Sequence, residues 1–198
     1  MKYLKVMGFV AVVAAALMAF AGIASATELT SPKGTKYSGG ITAAAEGTTT
    51  LHPPIGDIEC SGSGVEGTIT NAGGSTSTVS GPITKEKLTF TGCNATVKVL
   101  AEGSLEIHTK TASADGNGLL TGSGNEVTVE FAGFHCIFKT SGTTLGTVTG
   151  SSNTGGNATL DIEATIPRTG GRSGAFCGST AQWTGSYKVS SPSFLDVD

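Results

Sequence analysis

The sequence predicts an all-β protein, an antiparallel β-sandwich or barrel of about ten to twelve strands that is preceded by a signal-peptide helix. Apolar and polar residues alternate with a period of two along many short segments, which is typical of strands with one buried face. Clusters of Gly, Asn and Asp separate these segments and supply the backbone conformations of tight turns. The basic and then apolar start of the chain predicts the signal peptide.

The first 26 residues have the three parts of a secretory signal peptide. Lys2 and Lys5 precede an apolar run over residues 6–23, and the small residues Ala-Ser-Ala at 24–26 form the cleavage signal. An uncleaved membrane anchor is the alternative, but the Ala and Gly residues of the run make it a weak membrane-spanning helix. We therefore expect cleavage after Ala26, no membrane insertion of the remaining chain, and a secreted, extracellular bacterial protein.

Residues 27–198 are predicted to form a single all-β domain, because no linker or change of composition divides them. The clearest strand is 159–166, in which Leu160, Ile162 and Ile166 face one side and polar residues face the other. The same alternation predicts further strands at 95–99, 104–110, 126–131 and 182–189.

The charge of the chain restricts its partners. Without Lys2 and Lys5 it has ten basic and fifteen acidic residues, a net charge of −5, and no basic block. This composition argues against nucleic acid as a partner. Low charge together with abundant Thr and Val favours folded β-structure over disorder. The sequence does not determine the oligomeric state.

Four cysteines follow the predicted leader: Cys60, Cys93, Cys136 and Cys177. An even number of cysteines outside the cytoplasm predicts two disulfides. Three connectivities are open, and we favour Cys60–Cys93 with Cys136–Cys177. Structural zinc sites place cysteines two to four residues apart, and these cysteines are much more widely spaced. The sequence therefore predicts neither a metal site nor a cofactor.

Candidate ligand-binding residues lie on two of the predicted strands. Trp183 is the only Trp of the chain and shares a strand face with Tyr187. The pattern is typical of a core pair, but the two rings are also the best candidates for sugar stacking if they are exposed. His108 shares the polar face of its strand with Glu106 and Lys110. Such a row is typical of a solvated sheet face, and ligand binding or acid–base chemistry is the alternative. No catalytic residue is assigned.

Three stretches resemble a group of secreted bacterial proteins of unknown function. They are FTGCNATVKVL from Phe90, FAGFHCIF from Phe131 and ATIPRTGGRSGAFCGSTAQWTGSYKV from Ala164. The resemblance spans most of the chain after the leader. It implies a small exported β-domain and brings no known activity or site with it.

The sequence predicts a secreted, non-enzymatic β-domain at or outside the cell envelope. It would act as a binding module, adhesin-like and directed to envelope or environmental polysaccharide, or as a structural module. The alternative is an extracellular hydrolase that acts on polysaccharide. A sugar binder needs exposed aromatic rings, a hydrolase needs converging acids or a nucleophile–base pair, and a structural module needs neither.

Overall fold

The computed structural model describes residues 27–54, 56–74, 77–109, 116–172 and 174–198. The predicted signal peptide, residues 1–26, lies outside the described residues, as does Lys110. The described part of the chain is all-β with antiparallel strand pairing, which confirms the predicted fold class at that level.

Sixteen strands and two four-residue helices make up the described structure. They are β1 (Thr27–Thr30), β2 (Gly40–Ala45), β3 (Thr49–His52), β4 (Ile58–Thr68), β5 (Asn71–Gly74), β6 (Ser77–Pro82), β7 (Thr89–Cys93), β8 (Thr96–Ala101), β9 (Ser104–Thr109), β10 (Asn117–Ser123), β11 (Glu126–Phe131), β12 (Phe134–Lys139), β13 (Thr143–Thr149), α1 (Ser151–Thr154), β14 (Thr159–Gly171), α2 (Gly174–Cys177), β15 (Thr180–Ser191) and β16 (Asp196–Val197).

The predicted count of ten to twelve strands is not confirmed, because the described residues form sixteen. Strands β1, β3 and β5 have four residues each and β16 has two. Segments this short contain too few alternations to be recognised in a sequence. At the other extreme, β14 and β15 have 13 and 12 residues and match the strands predicted at 159–166 and 182–189.

The main path of the sheet runs β16-β1-β5-β6-β9-β10-β13-β14-β15-β2-β4-β3. A second group, β8-β11-β12, joins this path through the far end of β14, where Arg168 and Gly171 pair with β12. Strand β7 pairs with β4. The length of β14 thus allows one strand to connect both groups.

The apolar faces of the two groups share one core. Along β14 the predicted inward residues Leu160, Ile162 and Ile166 are buried, whereas Asp161 and Glu163 are exposed. Phe138 and Val129 of the second group belong to the same buried cluster, as do Ile58 of β4 and Val189 of β15. Burial of such side chains is the main favourable term in folding.

Strands β4 and β6 approach each other closely at two glycines. A Cβ atom on Gly81 would lie 2.0 Å from the carbonyl oxygen of Thr68, and one on Gly67 would lie 2.8 Å from that of Pro82. Both distances are too short for a side chain. Next to this contact, Gly67 forms a β-bridge with Ile83.

Both disulfides have the connectivity favoured from the sequence. Cys60 and Cys93 lie directly opposite each other in β4 and β7, with their Cα atoms 3.9 Å apart. Cys136 of β12 is bonded to Cys177, the last residue of α2. The second bond ties the connection between β14 and β15 to the second group of strands.

In the folded protein, dithiothreitol is expected to reduce Cys60–Cys93 before Cys136–Cys177. Thiol exchange requires the attacking thiolate to reach a sulfur atom, and Cys93 is half-buried whereas Cys136 and Cys177 are fully buried. Timed iodoacetamide quenching with peptide mass spectrometry gives the order. In guanidinium chloride, as the control, the two bonds should be reduced at similar rates. Earlier alkylation of Cys136 or Cys177 in native buffer would contradict the prediction.

Candidate functional site

Trp183 and Tyr187 both point inward from β15. Tyr187 is only 3% exposed, and its hydroxyl group lies 2.8 Å from Ser63 Oγ. The ring of Trp183 is partly buried and meets Phe90 and Tyr187 edge-to-face, at centroid distances of 6.0 and 6.2 Å. Tyr187 therefore presents no ring face to a sugar, and the two residues pack as part of the core.

Burial raises the pKa of Tyr187 from 10.0 to about 12. The desolvated phenolate is disfavoured, and the hydrogen bonds with Ser63 and Thr49 offset only part of this effect. The side chain is therefore a neutral hydrogen-bonding group of the interior at physiological pH.

His108 lies on the opposite face of the sheet. It points outward from β9, with Nε2 3.6 Å from Glu106 Oε2 and 3.5 Å from Thr121 Oγ1. Its neighbour Ile107 is buried. The structure brings His108 together with Glu106, as the sequence predicts, but not with Trp183 or Tyr187.

On the outer face of the sheet, three polar side chains that the sequence analysis did not select lie in a row, each within hydrogen-bond distance of the next. His52 Nδ1 lies 2.8 Å from Asp57 Oδ1, and His52 Nε2 lies 3.4 Å from Thr184 Oγ1. We call these three residues the His52 array. Of the three, His52 lines an open groove of about 480 Å³, together with Pro54, Thr165, Thr180 and Gln182.

Neighbouring strands fix the His52 array. His52 ends β3 and pairs with Gln182 of β15, two residues from Thr184. Asn94 follows Cys93 and donates from Nδ2 to the backbone oxygen of Asp57, at 3.1 Å. The Cys60–Cys93 disulfide thus lies next to the hydrogen bond that positions the Asp57 segment.

An imidazole between a carboxylate and a hydroxyl is the arrangement that activates a nucleophile in acyl transfer. In the His52 array this arrangement is weak. The side chains of His52 and Asp57 are 38% and 58% exposed, so water competes for both groups. Thr184 offers a secondary hydroxyl at a long distance, although such contacts can tighten when substrate binds. Sequence reasoning missed the array because Thr184 lies 132 residues from His52.

A stacked pair of aromatic rings, one exposed and one half-buried, lies at the end of the second group of strands. Phe176 of α2 is 56% exposed and stacks on Phe134 of β12, with a centroid distance of 4.5 Å and an interplanar angle of 30°. Each ring is close in sequence to a half-cystine of the Cys136–Cys177 bond. The sequence signal was available, since the favoured disulfide pairing brings both phenylalanines to one place.

Comparison with protein-family models, curated proteins and solved structures finds no match to this chain. Within the described ranges, no three His, Cys, Asp or Glu side chains lie close enough together to hold a metal ion. No helix among those residues has the length and apolar character needed to cross a bilayer.

Alkaline pH is expected to destabilise the wild type more than Tyr187→Phe. Since the folded pKa is about 12 and the ordinary value is 10.0, the folded chain keeps the phenolic proton where the unfolded chain loses it. This contribution is fully present below pH 10 and is lost towards pH 12, by about 3 kcal/mol at 1.4 kcal/mol per pH unit.

Urea unfolding of both proteins between pH 8 and 12 measures the effect. At pH 8 the variant should be less stable by about 1–2 kcal/mol, because Ser63 loses its partner. That deficit should shrink above pH 10. A difference that stays constant over the whole range would contradict the assignment.

Proposed function

We propose that the chain after residue 26 is an exported, non-enzymatic β-domain that binds polysaccharide at or outside the cell envelope. The observation that supports this most directly is the exposed ring of Phe176, which stacks on the half-buried ring of Phe134. A flat aromatic face on a rigid support suits the apolar face of a sugar ring, and burial of such a face favours binding. A purely structural role would not require this pair.

The two disulfides support the exported part of the proposal. Such bonds form and persist in oxidising compartments and are rare in the cytosol. Cys136–Cys177 also gives the aromatic pair a covalent support, because it links the two elements that hold the rings. A preformed platform loses less conformational entropy when a ligand binds.

The sandwich-or-barrel architecture belongs to the same proposal. Its support is the contact between β4 and β6, which are far apart along the main path of the sheet. Ile83 directly follows β6, and its β-bridge with Gly67 of β4 places these two strands side by side. The strands from β6 to β4 along the main path would then form a closed ring. Closure of this kind protects strand edges that would otherwise be open to aggregation.

The His52 array favours a second candidate function, an extracellular hydrolase that cleaves ester groups on polysaccharide. The hydroxyl–imidazole–carboxylate order is the specific observation for it. We place it second because the imidazole and carboxylate are both open to solvent.

Phe176→Ala is expected to weaken polysaccharide binding about two- to tenfold, the equivalent of roughly 0.5–1.5 kcal/mol for one aromatic contact. Retention of the exported protein on a panel of insoluble envelope and plant polysaccharides measures it. Leu100→Ala is the matched control, because Leu100 is the other large apolar side chain that is mostly exposed in the described residues. If the wild type binds no member of the panel, the proposal of polysaccharide binding is contradicted and the structural role is the one that remains.

Ester hydrolysis tests the second candidate. If the His52 array is catalytic, His52→Ala and Thr184→Val should each lower the rate of p-nitrophenyl acetate cleavage by about 10²-fold or more. Thr50→Val is the control, since Thr50 is the cross-strand partner of Thr184 and is outside the array. The non-enzymatic proposal expects no release above that of buffer with any of the four proteins.

A further inference from the structure

Three apolar cavities adjoin one another inside the protein. The first, of about 60 Å³, lies between Trp183 and Phe90 on one side and Val129 and Phe138 on the other. The second, of about 40 Å³, shares Leu88, Asn125 and Trp183 with the first.

The third cavity, of about 60 Å³, continues from the second. The two share Val65, Ile83, Leu105, Leu120 and Leu160. Protein interiors are normally packed as densely as organic crystals. Three adjoining cavities in one interior are therefore unusual. Because its lining is almost entirely apolar, water has few partners there.

The indole of Trp183 stands where the first two cavities meet, and its Nε1 atom is buried with no hydrogen-bond partner within the described structure. A buried N–H group without an acceptor is costly, and native structures rarely contain one. The atom is fully covered, so a ligand oxygen that reaches it when the indole turns towards the cavities would satisfy it.

The first cavity also reaches the surface. Phe90, Val97 and Val127 line it and are only half-buried. They belong to β7, β8 and β11, so the opening lies where the edge of the main sheet meets the second group of strands. A ligand can therefore enter without unfolding the core.

From these features we propose that the interior binds a medium-length acyl chain. The tail lies in the second and third cavities, and an oxygen atom of the head group accepts the hydrogen bond of Trp183 Nε1–H. At roughly 10–15 Å³ of such volume for each water-sized group, these two cavities hold about eight methylenes. The proposal is independent of polysaccharide binding, since Phe134 and Phe176 line none of the three cavities.

Titration of the exported protein with sodium octanoate tests the proposal, with butanoate and hexanoate as shorter homologues. Trp183 is the only tryptophan, so the intrinsic fluorescence reports directly on the site. Each added methylene should strengthen binding about fourfold up to about eight carbons, from roughly 0.8 kcal/mol per buried CH₂. Dodecanoate should bind little more tightly than octanoate, because the cavities have no room for its additional carbons.

Two variants distinguish the tail site from the head site, with binding measured by calorimetry. Val65→Phe fills the space between the second and third cavities and should weaken octanoate at least tenfold while leaving butanoate unchanged. Trp183→Phe keeps an aromatic ring, removes the donor and should weaken both acids by a similar factor, about five- to tenfold. Leu100→Phe, at an exposed position, should change neither.

The chain-length series requires no variant and therefore remains decisive if Val65→Phe fails to fold. Absence of a saturable fluorescence change with octanoate up to its micelle concentration would overturn the proposal. Affinity that does not depend on chain length would overturn it as well. Neither outcome affects polysaccharide retention, so failure here is distinguishable from failure of the proposed function.

Discussion

The pairing of β14 with β15 is the constraint on which the other features of this molecule depend. Nine consecutive residue pairs set the register of the two longest strands. Since side chains alternate between the faces of a sheet, a shift by one residue would exchange the inside and outside positions of one strand relative to the other. Trp183 and Tyr187 would then leave the core, and Thr184 would leave the side on which His52 lies. The ladder therefore positions the interior cavities and the outer groove together.

The disulfides act on the parts that this ladder does not hold. Helix α2 lies in the connection between β14 and β15 and has only four residues, too few to be stable by itself. Cys177 ties it to β12 and keeps Phe176 on Phe134. Cys60–Cys93 does the same for β7, which among the described strands pairs with β4 alone. Each bond thus supports a surface feature as well as the fold.

The inside and the outside of the sheet offer different chemistry. The outer face presents Asp, Glu, Thr and His side chains in open grooves, where water screens their charges. The interior is apolar and incompletely filled, and among the described residues Trp183 Nε1 is the buried side-chain donor without a partner. A polysaccharide is therefore expected on the outside, at Phe176 or in the groove beside His52, whereas an apolar ligand gains most from the cavities. The two proposals concern separate sites, one on the outside of the protein and one in its interior.

Local pattern by itself determined the all-β class, the long strands and their inward faces, because alternation and turn residues are properties of neighbouring residues. The sequence left three cysteine pairings open, and the structure has the favoured one. Only the tertiary structure decided that Phe134 meets Phe176 and that His52 meets Asp57 and Thr184. Those contacts join residues as far as 132 positions apart through strand register. The packing of many strands around one core sets that register, and no single segment of the chain encodes it.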